Sequence, residues 1–381
     1  MIIGLVGKPS SGKSSFFKAA TMIDVKISPV PFTTIQPNIG ISYIAIDCAE
    51  KEFNVKCNPK HGYCKKGKRF VPVKLADVGG LIPGSHLGKG IGNKFLDEIR
   101  QASALIQIID TSGLTDSEGN PTTNYDPNTE IEFLENEIDL WFADVIKRAL
   151  QKITKVSSKS DLIQVLAEQL SGLEISKQSI ENALEQTSYT DAEKFAKVIR
   201  KISKPILYAA NKIDLKSSQE NFVKLKQNYE NIVPASAEAE IALKKAAEKW
   251  LIDYSAGNGF EIKGNLEENQ RKGLDFIKKE VIEKYGSTGV QNCLNKVVFE
   301  LLDYIAVYPV TNANKLTDKD GNVLPDVHLV PRGTTAKELA FRIHTSIGEK
   351  FIAGIDARTR KKLSSDHQLK ENDVVEIVFA K

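Results

Sequence analysis

The chain is poor in the features that would place it in several large classes of protein. It has only four cysteines among 381 residues, too few for the disulfide frameworks that hold small secreted domains together. No apolar run reaches the roughly 18–20 residues that a membrane span needs. The amino terminus, Met1-Ile2-Ile3-Gly4-Leu5, opens directly into a strand-like run. It lacks the charged segment, apolar stretch and cleavage site of a secretory signal. Formal net charge is only +3, which neither demands nor excludes nucleic acid, so charge has to be read locally. Internal repeats and low-complexity segments are also missing. These absences point to a globular cytoplasmic protein with no membrane partner; a DNA partner is not among the expectations.

What remains is an ordinary globular composition, 41% apolar and 27% charged. The length predicts two or three domains, because single cores seldom grow past about 250–300 residues. Ile2–Val6 reads as a short apolar strand, Gly7–Gly12 as a turn and Lys13–Thr21 as a helix. Ile39–Ile46 and Phe70–Ala76 read as strands around a basic loop that contains cysteines. Ala104–Ile109, Pro205–Ala210 and Asn231–Pro234 read as further strands, the first two of the unbroken apolar kind found in parallel sheets. The fold class predicted is α/β, with a mostly parallel sheet over 1–128 and 203–256.

Residues 129–202 carry apolar positions only at helical spacing, from Ile131 through Leu134, Ile138 and Trp141 to Leu170, and predict a helical insertion. A second helical stretch is expected from about Glu238 to Tyr285, broken at Gly257-Asn258-Gly259. Its part in 257–300 is expected to pack on the insertion. From 301 to 381 a strand (Leu301–Val310), a turn at Asp320-Gly321, a helix (Thr335–Ile347, capped by Thr334) and a last strand (Val374–Phe379) fit a small β-grasp domain.

The strongest motif is Gly7-Lys8-Pro9-Ser10-Ser11-Gly12-Lys13-Ser14, which fits G-x-x-x-x-G-K-[ST] and runs on into Ser15. A phosphate chain needs several backbone N–H donors at once. A glycine turn lets the backbone approach, and the following helix adds its positive end. Lys13 is placed to reach the β and γ phosphates, and the Ser14 hydroxyl to ligate Mg²⁺. Asn211-Lys212-Ile213-Asp214 addresses the base. The Asp214 carboxylate can accept from guanine's N1 and exocyclic amine, a donor pair adenine lacks. Asn211 and the stem of Lys212 hold the loop and flank the ring. Ser236-Ala237-Glu238 follows, with the Ala237 N–H available to guanine O6. Asp77-Val78-Gly79-Gly80 supplies an acid for Mg²⁺ and a Gly80 N–H for the γ-phosphate. Thr33 and Thr34 lie between these motifs and offer a hydroxyl that can close on metal and γ-phosphate. Singly, the shorter motifs are common turns; their order and spacing give them weight, and with them 1–128 and 203–256 read as a Ras-like P-loop G domain that binds GTP.

Two runs resemble a known family. Pro31-Phe32-Thr33-Thr34-Ile35-Gln36-Pro37-Asn38-Ile39-Gly40 resembles the first switch of Obg-family GTPases. Asp77-Val78-Gly79-Gly80-Leu81-Ile82-Pro83-Gly84-Ser85-His86-Leu87-Gly88-Lys89-Gly90-Ile91-Gly92-Asn93-Lys94-Phe95-Leu96 resembles the glycine-rich second switch. The helical insertion is similar to that of the YchF branch, and Leu301–Lys381 is similar to a TGS domain. The resemblance implies GTP and GDP as ligands, Mg²⁺ as cofactor, and a ribosome or other RNA in translation as partner. It favours Thr34 over Thr33, since YchF-type relatives often carry Cys at the position of Thr33. It also marks three departures. YchF-type proteins often have an altered base motif and prefer ATP, whereas Asn-Lys-x-Asp is intact here. Ser10 stands where potassium-stimulated relatives carry Asn. Leu81 follows Gly80, where Ras-like enzymes place a water-orienting Gln, so slow turnover is implied. His86 is the nearby polar side chain.

The loop between Ile46 and Phe70 holds Cys48, Cys57, His61 and Cys64. Three thiols and an imidazole suffice for a tetrahedral zinc site, but the spacing is not C-x-x-C, and reduced structural cysteines are the alternative. The same loop carries Lys56, Lys60, Lys65, Lys66, Lys68 and Arg69, which can sit on RNA phosphates or form a solvated face. Arg358, Arg360, Lys361 and Lys362 form a second cluster. The function expected is slow GTP hydrolysis as a switch on ribosomes or RNA. A regulatory ATPase without RNA, or a scaffold with negligible turnover, are the other classes.

Overall fold

The computed structural model describes residues 1–22, 38–79, 98–151, 158–173 and 175–380. Strand β1 (Ile2–Val6) is apolar and almost wholly buried, and helix α1 (Lys13–Thr21) follows it after the glycine turn. Strands β2 (Ile39–Asp47), β3 (Tyr63–Lys65), β4 (Lys68–Asp77), β5 (Ala104–Asp110), β6 (Ile206–Asn211) and β7 (Ile232–Pro234) complete the first sheet. Its order is β2-β4-β1-β5-β6-β7, with β3 paired to β4. The strands from β4 to β7 along that order run parallel. Every residue of β5 and β6 is buried, which is why both read as unbroken apolar runs. Because β4 and β5 flank β1 on opposite sides, the loop leaving β1 lies where the chain changes sides. Open α/β sheets bind their ligands at such a point.

Helices α2 (Asn128–Gln151), α3 (Lys159–Gln169), α4 (Lys177–Gln186) and α5 (Ala192–Ser203) occupy the stretch read as helical. They share one core with the sheet: Ile131, Ile138 and Phe142 of α2 meet Phe195 and Ile199 of α5 in a cluster that includes Val6, Leu105 and Ile109. The buried Arg200 donates to Asp139 (2.7 Å) and Glu135 (3.2 Å), fastening α5 to α2.

The stretch after Glu238 differs from its sequence reading. Helices α6 (Lys216–Asn228) and α7 (Ala237–Glu248) are followed by a hairpin of β8 (Ile252–Tyr254) and β9 (Phe260–Ile262). Helix resumes at α8 (Glu268–Ile277) and α9 (Val290–Lys296). Leu274, Ile277 and Val281 pack on Ala239 and Leu243 of α7 and on Ile252 and Tyr254 of the hairpin. The core contact of 257–300 is therefore α7 and the hairpin, and its link toward the insertion's cluster is the half-buried Tyr285. The hairpin also crosses the boundary expected between 256 and 257.

The chain divides into two compact units. Among the described residues, the first holds 1–22, 38–42 and Val73–Cys293, and the second holds Tyr43–Pro72 and Leu294–Lys381. The second unit thus recruits thirty residues of the segment assigned above to the G domain. Its five-stranded sheet has the order β11-β10-β14-β12-β13, with β10 (Tyr304–Val310), β11 (His328–Pro331), β12 (Phe351–Asp356), β13 (Lys362–Leu363) and β14 (Val374–Phe379). Helix α10 (Ala336–Ile343) buries Leu339 and Ala340 against Ile305, Val307, Val375 and Ile377. It is capped by Thr335, not Thr334: Thr335 accepts from the Glu338 N–H, and Glu338 reaches back to the Thr335 N–H. Thr334 donates to the Pro331 carbonyl instead. The expected continuous helix stops at His344 and restarts as α11 (Thr345–Glu349). Ala306, Tyr308 and Val310 alternate to the other face of β10 and are buried there. On that side residues 43–72 close the unit: Asn58 N donates to Val323 O (2.8 Å), Lys60 N to Pro325 O (2.9 Å), and the buried Arg69 to Leu324 O (3.0 Å) and Pro325 O (2.7 Å).

Candidate functional site

At the end of β1 the backbone turns through Gly7, Lys8, Pro9, Ser10 and Ser11 to Gly12, which caps α1 at φ 90°. A β-carbon at Gly12 would run into the Asn211 amide, so glycine is required there for both conformation and space. Helix α1 then starts with Lys13, Ser14 and Ser15 and has no acidic residue in its first turn. Its positive end is left uncompensated by side chains. Lys13 Nζ pairs with Asp77 at the end of β4, next to the Val78 N–H that donates to Leu5 O at 3.1 Å. The first and third motifs are thereby brought together beside β1.

The base motif is fastened to this loop by its own side chains. Asn211, 2% exposed, donates from Nδ2 to Ser11 O (2.9 Å) and accepts at Oδ1 from the Ala237 N–H (3.1 Å), so the N–H expected to be available to guanine O6 is engaged within the protein here. Lys212 donates to Ser10 O (2.8 Å) and pairs with the buried Asp110 (2.8 Å). Asp214 is half-buried at the start of the following turn. Ser236 caps α7 by accepting from the Ala239 N–H, while its own N–H donates to Thr288 O (2.8 Å). Glu238 is exposed on the first turn of α7. Phosphate loop, base motif and the Ser-Ala-Glu turn therefore form one hydrogen-bonded assembly. Ser14 faces solvent. Thr33, Thr34, Gly80, Leu81 and His86 lie outside the described residues.

Other residues that build the site have no motif. Lys8 does not turn its ammonium into the loop. It donates to Thr115 O (2.8 Å), Thr115 Oγ1 (2.6 Å) and Asp116 O (2.7 Å), lies 3.3 Å from Glu130, and stands over the Tyr125 ring. Burial pushes the Glu130 carboxyl up to about 8, against the pull of Lys8. Asp110 is the opposite case. Burial alone would raise its pKa, but bonds from Lys212, Ser112 and Thr115 outweigh that and hold it below the usual carboxylate range. Glu240 accepts from the hydroxyls of Tyr254 and Thr288, bracing the turn at Ser236. Asp110 had one legible signal, an acid at the carboxyl end of an apolar strand. Glu130, Glu240 and Thr288 had none.

The basic loop also reads differently in three dimensions. Arg69 is fully buried, Lys60 pairs with Asp318 and Asp320, and Lys68 pairs with Asp47. At least half of the six charges are thus engaged within the protein. In the second cluster Arg358 is held by Glu52 and Asp373.

A parallel sheet with a phosphate loop after β1 and Asn-Lys-x-Asp after β6 is the architecture of P-loop GTP-binding proteins. Family models agree piece by piece. Residues 2–143 match "50S ribosome-binding GTPase", 209–312 match "Obg-like GTPase YGR210-like, G4 motif-containing domain", and 315–379 match "TGS domain". An uncharacterized GTP-binding protein of Methanocaldococcus jannaschii is 46% identical over 391 residues, 100% of this chain and 99% of its own. The crystal structure of a GTP binding protein from Pyrococcus horikoshii is 36% identical with a TM-score of 0.77, covering 100% of both chains. The ribosome-binding ATPase YchF of Bacillus subtilis is 31% identical over 65% of this chain and 69% of its own. The chain belongs to the Obg-like family of GTP-binding proteins, of the YchF type with a carboxyl-terminal TGS domain. Among the described residues no helix is long and apolar enough to cross a membrane.

Proposed function

We propose that the protein hydrolyses GTP to GDP and phosphate with Mg²⁺, slowly, and acts as a switch on a ribosome or other RNA partner. The observation that carries this is the Asn211 bridge, which joins the base motif to the carbonyl of Ser11 and the N–H of Ala237. The bridge would keep Asp214 beside the phosphate loop, and guanine is the base this reading takes because the Asp214 carboxylate can accept from its two ring-edge donors. The loop N–H groups and the end of α1 hold the phosphates, and Lys13 leaves Asp77 to meet the β and γ oxygens. The oxygen donors of Ser14 and Asp77 suit Mg²⁺, a hard cation. Bound there, it would supply charge neutralisation on the phosphates. Thr34 and Gly80 would sense the γ-phosphate, so that hydrolysis releases both switch segments.

Nucleotide competition tests the base assignment. GTP should bind at least about tenfold more tightly than ATP, which is ~1.4 kcal/mol. Equal affinities would favour the second reading, a ribosome-binding ATPase of the kind named among the relatives. Cosedimentation with ribosomes, with a non-hydrolysable GTP analogue and with GDP, tests the partner. Nucleotide-independent pelleting or none would end the switch reading.

A further inference from the structure

We propose that Cys48, Glu50, Cys57 and Cys64 form a structural zinc site that pins residues 43–72 in the second unit. The loop folds these four residues together from three separate segments. Cys48 directly follows β2, and its N–H donates to Gly67 O at 2.9 Å. Glu50 lies in a 3₁₀ turn, Ala49–Lys51. Cys57 returns from the loop beyond it, and Cys64 lies on β3 opposite Arg69 of β4. The four ligand atoms all lie within 4.8 Å of one another.

The spacing matches a metal tetrahedron. Zinc–thiolate bonds of about 2.3 Å at tetrahedral angles place two sulfurs about 3.8 Å apart. Cys48 Sγ and Cys57 Sγ are 3.8 Å apart. The carboxylate is held in position as a fourth donor. Glu50 Oε2 accepts from the Cys57 N–H (3.1 Å), which leaves Oε1 turned to the thiols, 3.1 Å from Cys64 Sγ. Such backbone anchoring is what orients a metal ligand. Three sulfurs and one oxygen form a soft set that selects zinc over magnesium or calcium.

A disulfide fits the cluster less well, because it needs sulfurs about 2.05 Å apart, and all four cysteines are free thiols. Cysteines that serve only as small apolar fillers give no reason to bring a carboxylate among them, since that acid would lose hydration for nothing. His61, the fourth ligand suggested by the sequence, is engaged elsewhere: its Nδ1 is 2.6 Å from Asp326. The surroundings also suit the charge. Three thiolates and a carboxylate around a divalent ion leave an excess of negative charge, and the buried guanidinium of Arg69 acts on Cys48. Its Nε has no hydrogen-bond partner among the described residues. The hydroxyl of buried Tyr308 lies against Cys48 and accepts from the Ala49 N–H at 3.4 Å. Zinc here would set the shape of the loop whose Asn58, Lys60 and Arg69 hold the 323–325 segment.

The test uses the full chain, purified anaerobically without chelator. Elemental analysis should find about one zinc per chain. Replacing zinc by Co²⁺ should give thiolate-to-cobalt charge transfer and the intense visible bands of tetrahedral cobalt. Cys48→Ser and Cys57→Ser should each lose these bands, Glu50→Gln should weaken binding at least ~10-fold, and His61→Ala should leave binding unchanged. If the cysteine variants fail to fold, thiol reactivity of the unmutated chain decides: it should rise sharply when zinc is stripped and fall when zinc is restored. A chain that takes up no zinc from excess, with thiol reactivity indifferent to it, overturns the proposal. So does a Cys48–Cys57 disulfide in the anaerobic protein.

Discussion

Asn211 is the residue on which the most depends. Its amide satisfies a carbonyl in one loop and an N–H in another, and all three groups are buried. Asn211→Ala leaves both partners unpaired, at about 1–3 kcal/mol each. The variant should melt several degrees lower and bind GTP at least ~10-fold more weakly; unchanged calorimetric affinity would deny the bridge any part in binding. Asp214→Ala should act more narrowly, abolishing the preference for GTP over ATP while leaving the fold intact, as a competition assay would read. Glu130 makes a pH prediction. Its folded pKa of about 8 lies above the ordinary 4.5, so the folded protein keeps a proton that the unfolded chain has lost. That contribution is complete below about pH 4.5 and fades as pH rises through 8. Denaturation across this range should show a flatter pH dependence for Glu130→Gln than for the unmutated chain; parallel profiles would contradict the assignment. The motif residues were legible because each motif is local in sequence. The use of Lys8 was not, because its ammonium is bound by Thr115, 107 positions away, and no local pattern encodes such a pairing.

Elements with a long, regular pattern were the easiest to read. β1, α1 and β14 have the bounds their apolar patterns imply, and the described helices of the insertion carry a period that extends over many turns. The hairpin of β8 and β9 is not legible in the sequence, for a physical reason. Strands of three residues are too short for an alternating period to stand out between two helices, although Ile252 and Tyr254 are buried on either side of Asp253. The cap of α10 turns on a smaller difference. Both Thr334 and Thr335 are good capping residues, and the choice was settled by Glu338, three positions after Thr335, which completes a reciprocal capping box. Thr335→Ala should therefore destabilise the carboxyl-terminal sheet by about 1 kcal/mol. Urea denaturation followed by a probe in that unit would measure it, and a loss no greater than for an exposed-surface alanine would argue against the cap.

For the whole molecule, the division into units was the least legible feature, since no composition shift marks residues 43–72 as belonging with the chain after 293. The partner prediction changes accordingly. Arg69 and Lys60 are internal fasteners, so a test of RNA binding should spare them. Lys65→Ala with Lys66→Ala should reduce the salt dependence of ribosome binding by up to about two units of log–log slope if both contact phosphates, with GTP affinity unchanged. An unaltered slope would assign recognition elsewhere on the surface. A chain cut near residue 300 is not a clean deletion either, because residues 43–72 share a buried layer with the chain beyond it: Arg69 donates to the Leu324 and Pro325 carbonyls, and the Tyr308 hydroxyl accepts from the Ala49 N–H. That shared layer has a consequence during synthesis. At roughly 5–20 residues per second, Pro72 is added roughly 10–50 seconds before β10 is complete at Val310. For that time the nascent chain carries an apolar surface with nothing yet made to cover it, and a chaperone would be its shelter.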